Sequence, residues 1–158
     1  YKGITNADVL VCCGGGGLIS GIALALNELN QNLKARPVEP ENFDDTKKSL
    51  EQGKIVTNKN VSGSICDAIL TPQPGENTFK IIKKLCKAGI AVSEEQVLKA
   101  IALAFLHLKV ILEPGGAVAL AAALFLPHLI ETEQVIVVGT GGNIDREIFR
   151  KALTFLDV

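Results

Sequence analysis

The sequence predicts an α/β protein: a three-layer fold on a mostly parallel sheet with helices on both faces. Three observations lead there. Compact apolar runs such as ADVLVCC (7–13) and QVIVVGT (134–140) end at or beside glycine, as strands buried on both sides do. Each is followed by a stretch with helical character. Strand and helix patterns also alternate along the chain, which calls for crossovers onto parallel neighbours. No internal repeat, low-complexity segment or linker divides the 158 residues, enough for one domain with a substantial core.

Taken in order, the strand at 7–13 runs into four glycines, Gly14 to Gly17, and then a helix from Leu18 to Leu29. Leu18, Ile22, Ala25, Leu26 and Leu29 form its apolar face. LKARPVEP (33–40) is a weaker strand, and Pro37, with no ladder donor, marks it as an edge or as ending early. A short helix over 44–52 precedes a polar, Asn-rich loop at 57–64. SICDAIL stays open between a helical turn and irregular structure. A helix over 77–87 and a short strand at AGIAV follow. Ser93 and Gln96 make a capping box, with Val97, Ile101, Ala104, Phe105 and Leu108 along one face of its helix. VILEPGG interrupts that pattern before a buried helix over 117–125. The clearest strand, 134–140, and a last helix over 145–156 complete the order.

Composition narrows the class. With 47% hydrophobic and 21% charged residues and a net charge of −1, nothing draws the chain to nucleic acid or to an anionic membrane. No apolar run reaches the ~18 residues of a membrane span, and the first residues carry no signal-peptide pattern. Cys12, Cys13, Cys66 and Cys86 form no CxxC pair and read as small buried hydrophobes of a reducing, cytoplasmic compartment. The chain opens at Tyr1, almost directly on its first strand, and contains no methionine. That start reads as a cut edge.

Two glycine runs hold the same topological place, CC-GGGG-L and VVGT-GGN-I, each after a strand and before a helix. Ligands of open parallel sheets bind there, beyond the carboxyl ends of the strands. Free N–H groups at a helix start, together with the helix dipole, favour an anion. A dinucleotide fingerprint is a rival, but G-x-G-x-x-G misses by one residue: Ile19 or Ser20 stands where the last glycine belongs. A tight turn with no ligand is the plain alternative, and a second glycine loop weighs against it. A third run, LEPGGAVAL (112–120), taken alone is a proline-punctuated helix entry.

Together the pieces resemble the C-terminal half of the pyridoxal-phosphate-dependent threonine/serine dehydratases, the fold type II family that includes serine racemase. GGGGLISGIA resembles its tetraglycine loop, VEPENFDDTKKSLEQGK its V-E-P segment, LEPGGAVALAA its E-P-x-G-A element, and VVGTGGNID its S-G-G-N element. Four motifs in the right order cover nearly the whole chain. The resemblance implies that 1–158 is the cofactor-binding part of the family's large domain. Gly14, Gly15, Gly16 and Gly17 would hold the cofactor phosphate. Thr140 stands where the family has Ser or Cys against the pyridine nitrogen, Gly141 and Gly142 leave space beside the ring, and Glu113 lies near it. Glu39, Asp45 and the carbonyl of Phe43 match the family's divalent-cation site, whose oxygen donors suit Mg²⁺ or Ca²⁺; solvated acids are the plain alternative. Cys66 and Asp67 stand in a packing element, and His107 and His128 match nothing catalytic.

The family's Schiff-base lysine sits in an S-x-K-x-R-G-A motif that does not occur here, and its S-x-N-H-x-Q-type substrate loop is absent too. The resemblance therefore implies no catalytic residue in this chain. It implies an N-terminal half supplying the lysine and a homo-oligomer. The chain ends soon after its last motif, which reads as no C-terminal regulatory domain. The implied activity converts L-threonine or L-serine, a small hydroxy amino acid, to a 2-oxo acid and ammonia. Serine racemase or 3-hydroxyaspartate dehydratase activity stays open. Outside the family, so do a non-catalytic phosphate-binding fragment and a Rossmann-like domain.

Overall fold

The computed structural model describes residues 3–156. Four parallel strands, β1 (Ala7–Cys12), β2 (Leu33–Pro40), β3 (Ile90–Val92) and β4 (Val135–Val138), lie in the order β3-β2-β1-β4. The helices are α1 (Gly17–Leu29), α2 (Asp45–Gln52), α3 (Glu76–Leu85), α4 (Glu94–Leu103), α5 (Pro114–Phe125) and α6 (Arg146–Leu153). The chain winds outward from β1 through β2 to β3, then returns past them to lay β4 on the other side of β1. The strand order therefore reverses between β1 and β4.

Alternation along β1 splits the core in two. Leu10 and Cys12, with Val38 of β2, pack against Val97 and Ile101 of α4 and Val118 and Ala121 of α5, and Ala152 of α6 joins the same cluster. Val9, Val11 and Cys13, with Ala35, pack against Ile19 and Ala23 of α1 and Ile82 of α3. Helices cover both faces, as the apolar runs foretold. No helix among the described residues is long and apolar enough to cross a membrane.

Four expectations need correction. β2 is neither an outer strand nor short: its eight residues pair with β1 over Leu33–Val38 and with β3 over Val38–Pro40. Val38 sends its carbonyl to the Cys13 N–H, whereas the Ala35 carbonyl faces the other way, to the Lys87 N–H. The nitrogen of Pro37 therefore faces the β3 side, where pairing begins only at Val38, so the missing donor costs no ladder bond. In α1 the buried residues are Ile19, Ser20 and Ala23, and Leu18, Ala25 and Leu29 are exposed. Thr78 and Ile82 of α3 close over Gly16, and Ser20 Oγ donates to the Thr78 carbonyl, which turns the 16/19/20/23 face inward. The capping box of Ser93 and Gln96 forms as read. Past Leu103, however, α4 widens into a π-turn over Ala104–Leu108, and Lys109 takes a left-handed conformation at φ 58°. That rotation leaves Phe105 and Leu108 exposed. The 134–140 strand shortens to four residues, Val135 exposed and the other three half-buried, and β4 pairs with β1 alone among the described strands.

At the amino ends of the strands lies a cluster absent from the sequence reading. Asp8, fully buried in β1, accepts from Arg36 Nη1 at 3.0 Å, Lys87 Nζ at 2.7 Å and the Glu131 N–H at 3.0 Å. It ties β1 to β2, to the approach to β3 and to the approach to β4, far from the carboxyl ends.

Candidate functional site

Three glycine segments meet at the carboxyl ends of β1 and β4, where the strand order reverses. Gly16 caps α1 at φ 88°, and a Cβ there would stand 2.8 Å from Ile82 and 2.9 Å from Thr78. It is the glycine the turn requires. Gly15 and Gly17 differ: both are exposed, and a Cβ on either would meet nothing within 4 Å. The Gly15 carbonyl is fixed by Thr78 Oγ1 at 2.6 Å and the Gly75 N–H at 3.2 Å. No side chain caps α1, so the first-turn N–H groups, which have no intrahelical partner, face an open cradle. That donor arrangement fits a phosphate.

Across the switch point, Thr140 Oγ1 lies 3.3 Å from Cys12 Sγ, joining the ends of β4 and β1. The start of α5 packs directly on this loop: a Cβ on Gly116 would collide with the Thr140 carbonyl. Glu113 donates its N–H to the Gly141 carbonyl at 3.0 Å and accepts from the Asn143 N–H at 3.1 Å. A Cβ on Gly141, itself at φ 58°, would strike the Glu113 carboxylate, whereas Gly142 and Gly141 are both exposed. A 3₁₀ turn at Asp67–Ile69 bridges the segments, with Ile69 against Gly14 and Gly115. The SICDAI segment is thus the packing element expected of it.

Glu39, Phe43 and Asp45 stand one step away, at the carboxyl end of β2 and the entry to α2. Glu39 is fully buried and accepts the Thr46 and Lys47 N–H groups at 2.9 and 2.8 Å. Burial, with the Asp45 charge adding, pushes its carboxyl up to about 8 against those two donors. Burial likewise pushes Asp45 up to about 6, opposed by hydrogen bonds that include one from Asn58. Asp45 Oδ2 is buried and has no partner. Among the described residues no three His, Cys, Asp or Glu side chains gather as metal ligands. The pair would leave a cation to complete its shell with the Phe43 carbonyl and other oxygens. A buried acid pair with an orphaned oxygen fits a hard cation. Cys13 Sγ, 3.3 Å from Thr46 Oγ1, ties this corner to the residue before Gly14.

The structure thus gathers all eight residues expected at the cofactor and sets the three cation candidates beside them. Sequence reading missed Cys12, Thr78 and Asn58, because their partners lie 128, 63 and 13 residues away and no local pattern marks them.

The chain belongs to the pyridoxal-phosphate dependent enzyme family, which matches residues 3–141. It is 32% identical over 155 residues to the serine racemase of Schizosaccharomyces pombe, covering 98% of this chain and 48% of that protein. It is 37% identical over 139 residues to the L-threonine ammonia-lyase of Thermotoga maritima, covering 87% and 34%. The solved T.th. threonine deaminase superposes with a TM-score of 0.85 at 36% identity, covering 90% of this chain and 52% of that one. The chain spans a third to a half of the length of these curated relatives. Membership of the family displaces the dinucleotide-binding alternative.

Proposed function

We propose that the protein is the cofactor-holding part of a threonine/serine ammonia-lyase, converting L-threonine or L-serine to a 2-oxo acid and ammonia. One observation carries this reading: a side-chain-free cradle follows β1 at a helix start, and Cys12, two residues before it, holds a hydroxyl, Thr140, from the end of β4. The names of the relatives support the substrate class. Bound there, pyridoxal phosphate supplies an electron sink for the substrate's α-carbon.

The residues of this chain bind and orient. The N–H groups of Gly14 to Gly17 hold the phosphate. With Cys12 as the donor of the Cys12–Thr140 hydrogen bond, the Thr140 proton would be free for the pyridine nitrogen. A neutral donor at Thr140 would leave that nitrogen uncharged, and the milder sink would suit loss of a β-hydroxyl. Gly141 and Gly142 keep the space beside the ring open, and Glu113 is held at its edge by Asn143. Glu39, Asp45 and the Phe43 carbonyl hold Mg²⁺ or Ca²⁺.

Thr140→Ser is expected to keep turnover. Thr140→Val should lower kcat about ten- to hundredfold, the worth of one buried hydrogen bond at about 1–3 kcal/mol. Normal turnover by the Val variant would show that the hydroxyl faces away from the ring.

The lysine that forms the Schiff base comes from a second half. Leu108 and Val110, exposed and lining one hollow with Val137 of β4, offer that half an apolar seat. Supplied with pyridoxal phosphate and threonine, the 158-residue chain alone is expected to release no 2-oxo acid. Adding the lysine-bearing half should restore release, and activity of the chain alone would overturn the division. A second reading, serine racemase, is favoured by the S. pombe relative; D-serine rather than 2-oxo acid as the main product would select it.

A further inference from the structure

The Asn-rich loop at 57–64 enters the structure through one buried amide. Asn58 is 8% exposed. Its Nδ2 donates to Asp45 Oδ1 and, at 3.0 Å, to the Thr71 carbonyl, while its main-chain N–H bonds to the Pro72 carbonyl at 2.7 Å. Two acceptors around Nδ2 fix which way the amide points. Oδ1 is left buried with no donor, and so is Asp45 Oδ2 on the other member of the hydrogen-bonded pair. Native interiors leave few acceptors unpaired, because each costs its full desolvation. Two on bonded neighbours ask for one common partner. A cavity of about 330 Å³, lined by Asn42, Lys48, Thr57 and Asn58 among others, reaches the Asn58 side of the pair. Lys48 there is already paired with Asp44 at 2.6 Å.

We propose that Asn58 Oδ1 is a further protein ligand of the divalent cation held by Glu39, Asp45 and the Phe43 carbonyl, which rests on the cation reading above. An amide oxygen is a hard, neutral donor of the kind Mg²⁺ and Ca²⁺ take beside carboxylates. Asn58 then serves twice: Nδ2 sets the Asp45 carboxylate, and Oδ1 meets the ion. Through it the ion ties the 57–73 loop to the start of α2.

Terbium luminescence on the metal-stripped protein tests this, with Tb³⁺ as the probe and lifetimes in H₂O and D₂O counting its bound waters. Asn58→Ala should weaken Tb³⁺ binding about tenfold or more and add one bound water. Asn58→Asp keeps an oxygen and loses the donor, so it should bind Tb³⁺ at least as tightly as the unchanged protein. Unaltered affinity and water count in the Ala variant would overturn the proposal. An Asp variant as weak as the Ala variant would also overturn it, by assigning the effect to the Nδ2 bond. If Glu39→Ala abolishes binding while the Asn58 variants change nothing, only the added ligand falls. Tb³⁺ binding that survives Glu39→Ala would remove the cation site itself.

Discussion

Aspartate in place of Gly17 is expected to leave the protein folded and strip it of pyridoxal phosphate. Gly17 opens α1, its Cβ would enter empty space, and its φ is not positive. A carboxylate in the first turn of a helix is, if anything, stabilising by about 0.5 kcal/mol. The same charge would stand where the phosphate meets the first N–H groups, and placing like charges together costs several kcal/mol. A cost of ~3 kcal/mol is about a hundredfold loss of cofactor affinity. Equilibrium dialysis beside a melting curve separates the two effects. Gly16→Asp cannot serve, since the left-handed turn and the contacts to Ile82 and Thr78 would disturb the fold first. Cofactor binding at unchanged affinity in the Gly17 variant would remove the phosphate from this loop.

Asp8→Ala should be the most destabilising single change. It leaves the Arg36 guanidinium, 4% exposed, without its carboxylate, and orphaning a buried charge costs about 3–5 kcal/mol. Denaturant unfolding reads that loss directly. Acid should erode the same interaction. Burial alone would raise the Asp8 carboxyl, yet hydrogen bonds from Lys87, the Glu131 N–H and Arg36 outweigh it and hold it below the ordinary 3.8. A folded value below the unfolded one stabilises the protein fully above about pH 4. That share is lost as pH falls through the folded value. Asp8→Asn, already uncharged, should show a shallower loss of stability on acidification. A variant melting within a degree of the unchanged protein would contradict the role given to Asp8.

Residues that act through neighbours in sequence were legible, and those that act through distant ones were not. The buried parallel strands showed as apolar runs, the capping box at Ser93 as a spaced pair, and the tight strand-to-helix turn at Gly16 as part of a glycine run. Pro37 misled because the cost of a missing N–H depends on which side of the strand it faces, and sequence does not record that side. The inward face of α1 was misread for a similar cause: Thr78 and Ile82, about 60 residues on, decide it. Asp8 stood inside an apolar run with its partners 28, 79 and 123 residues away. Asn58 looked like one more polar loop residue until its amide was found buried against Asp45.

The central claim is that the tetraglycine loop and Thr140 hold opposite ends of one cofactor. A crystal structure of the protein assembled with its lysine-bearing half and pyridoxal phosphate tests it most directly. The account predicts phosphate oxygens about 3 Å from the N–H groups of Gly14 to Gly17, and the pyridine nitrogen within hydrogen-bond reach of Thr140 Oγ1. A phosphate seated away from that loop, or a ring nitrogen turned from Thr140 toward another side chain, would contradict it.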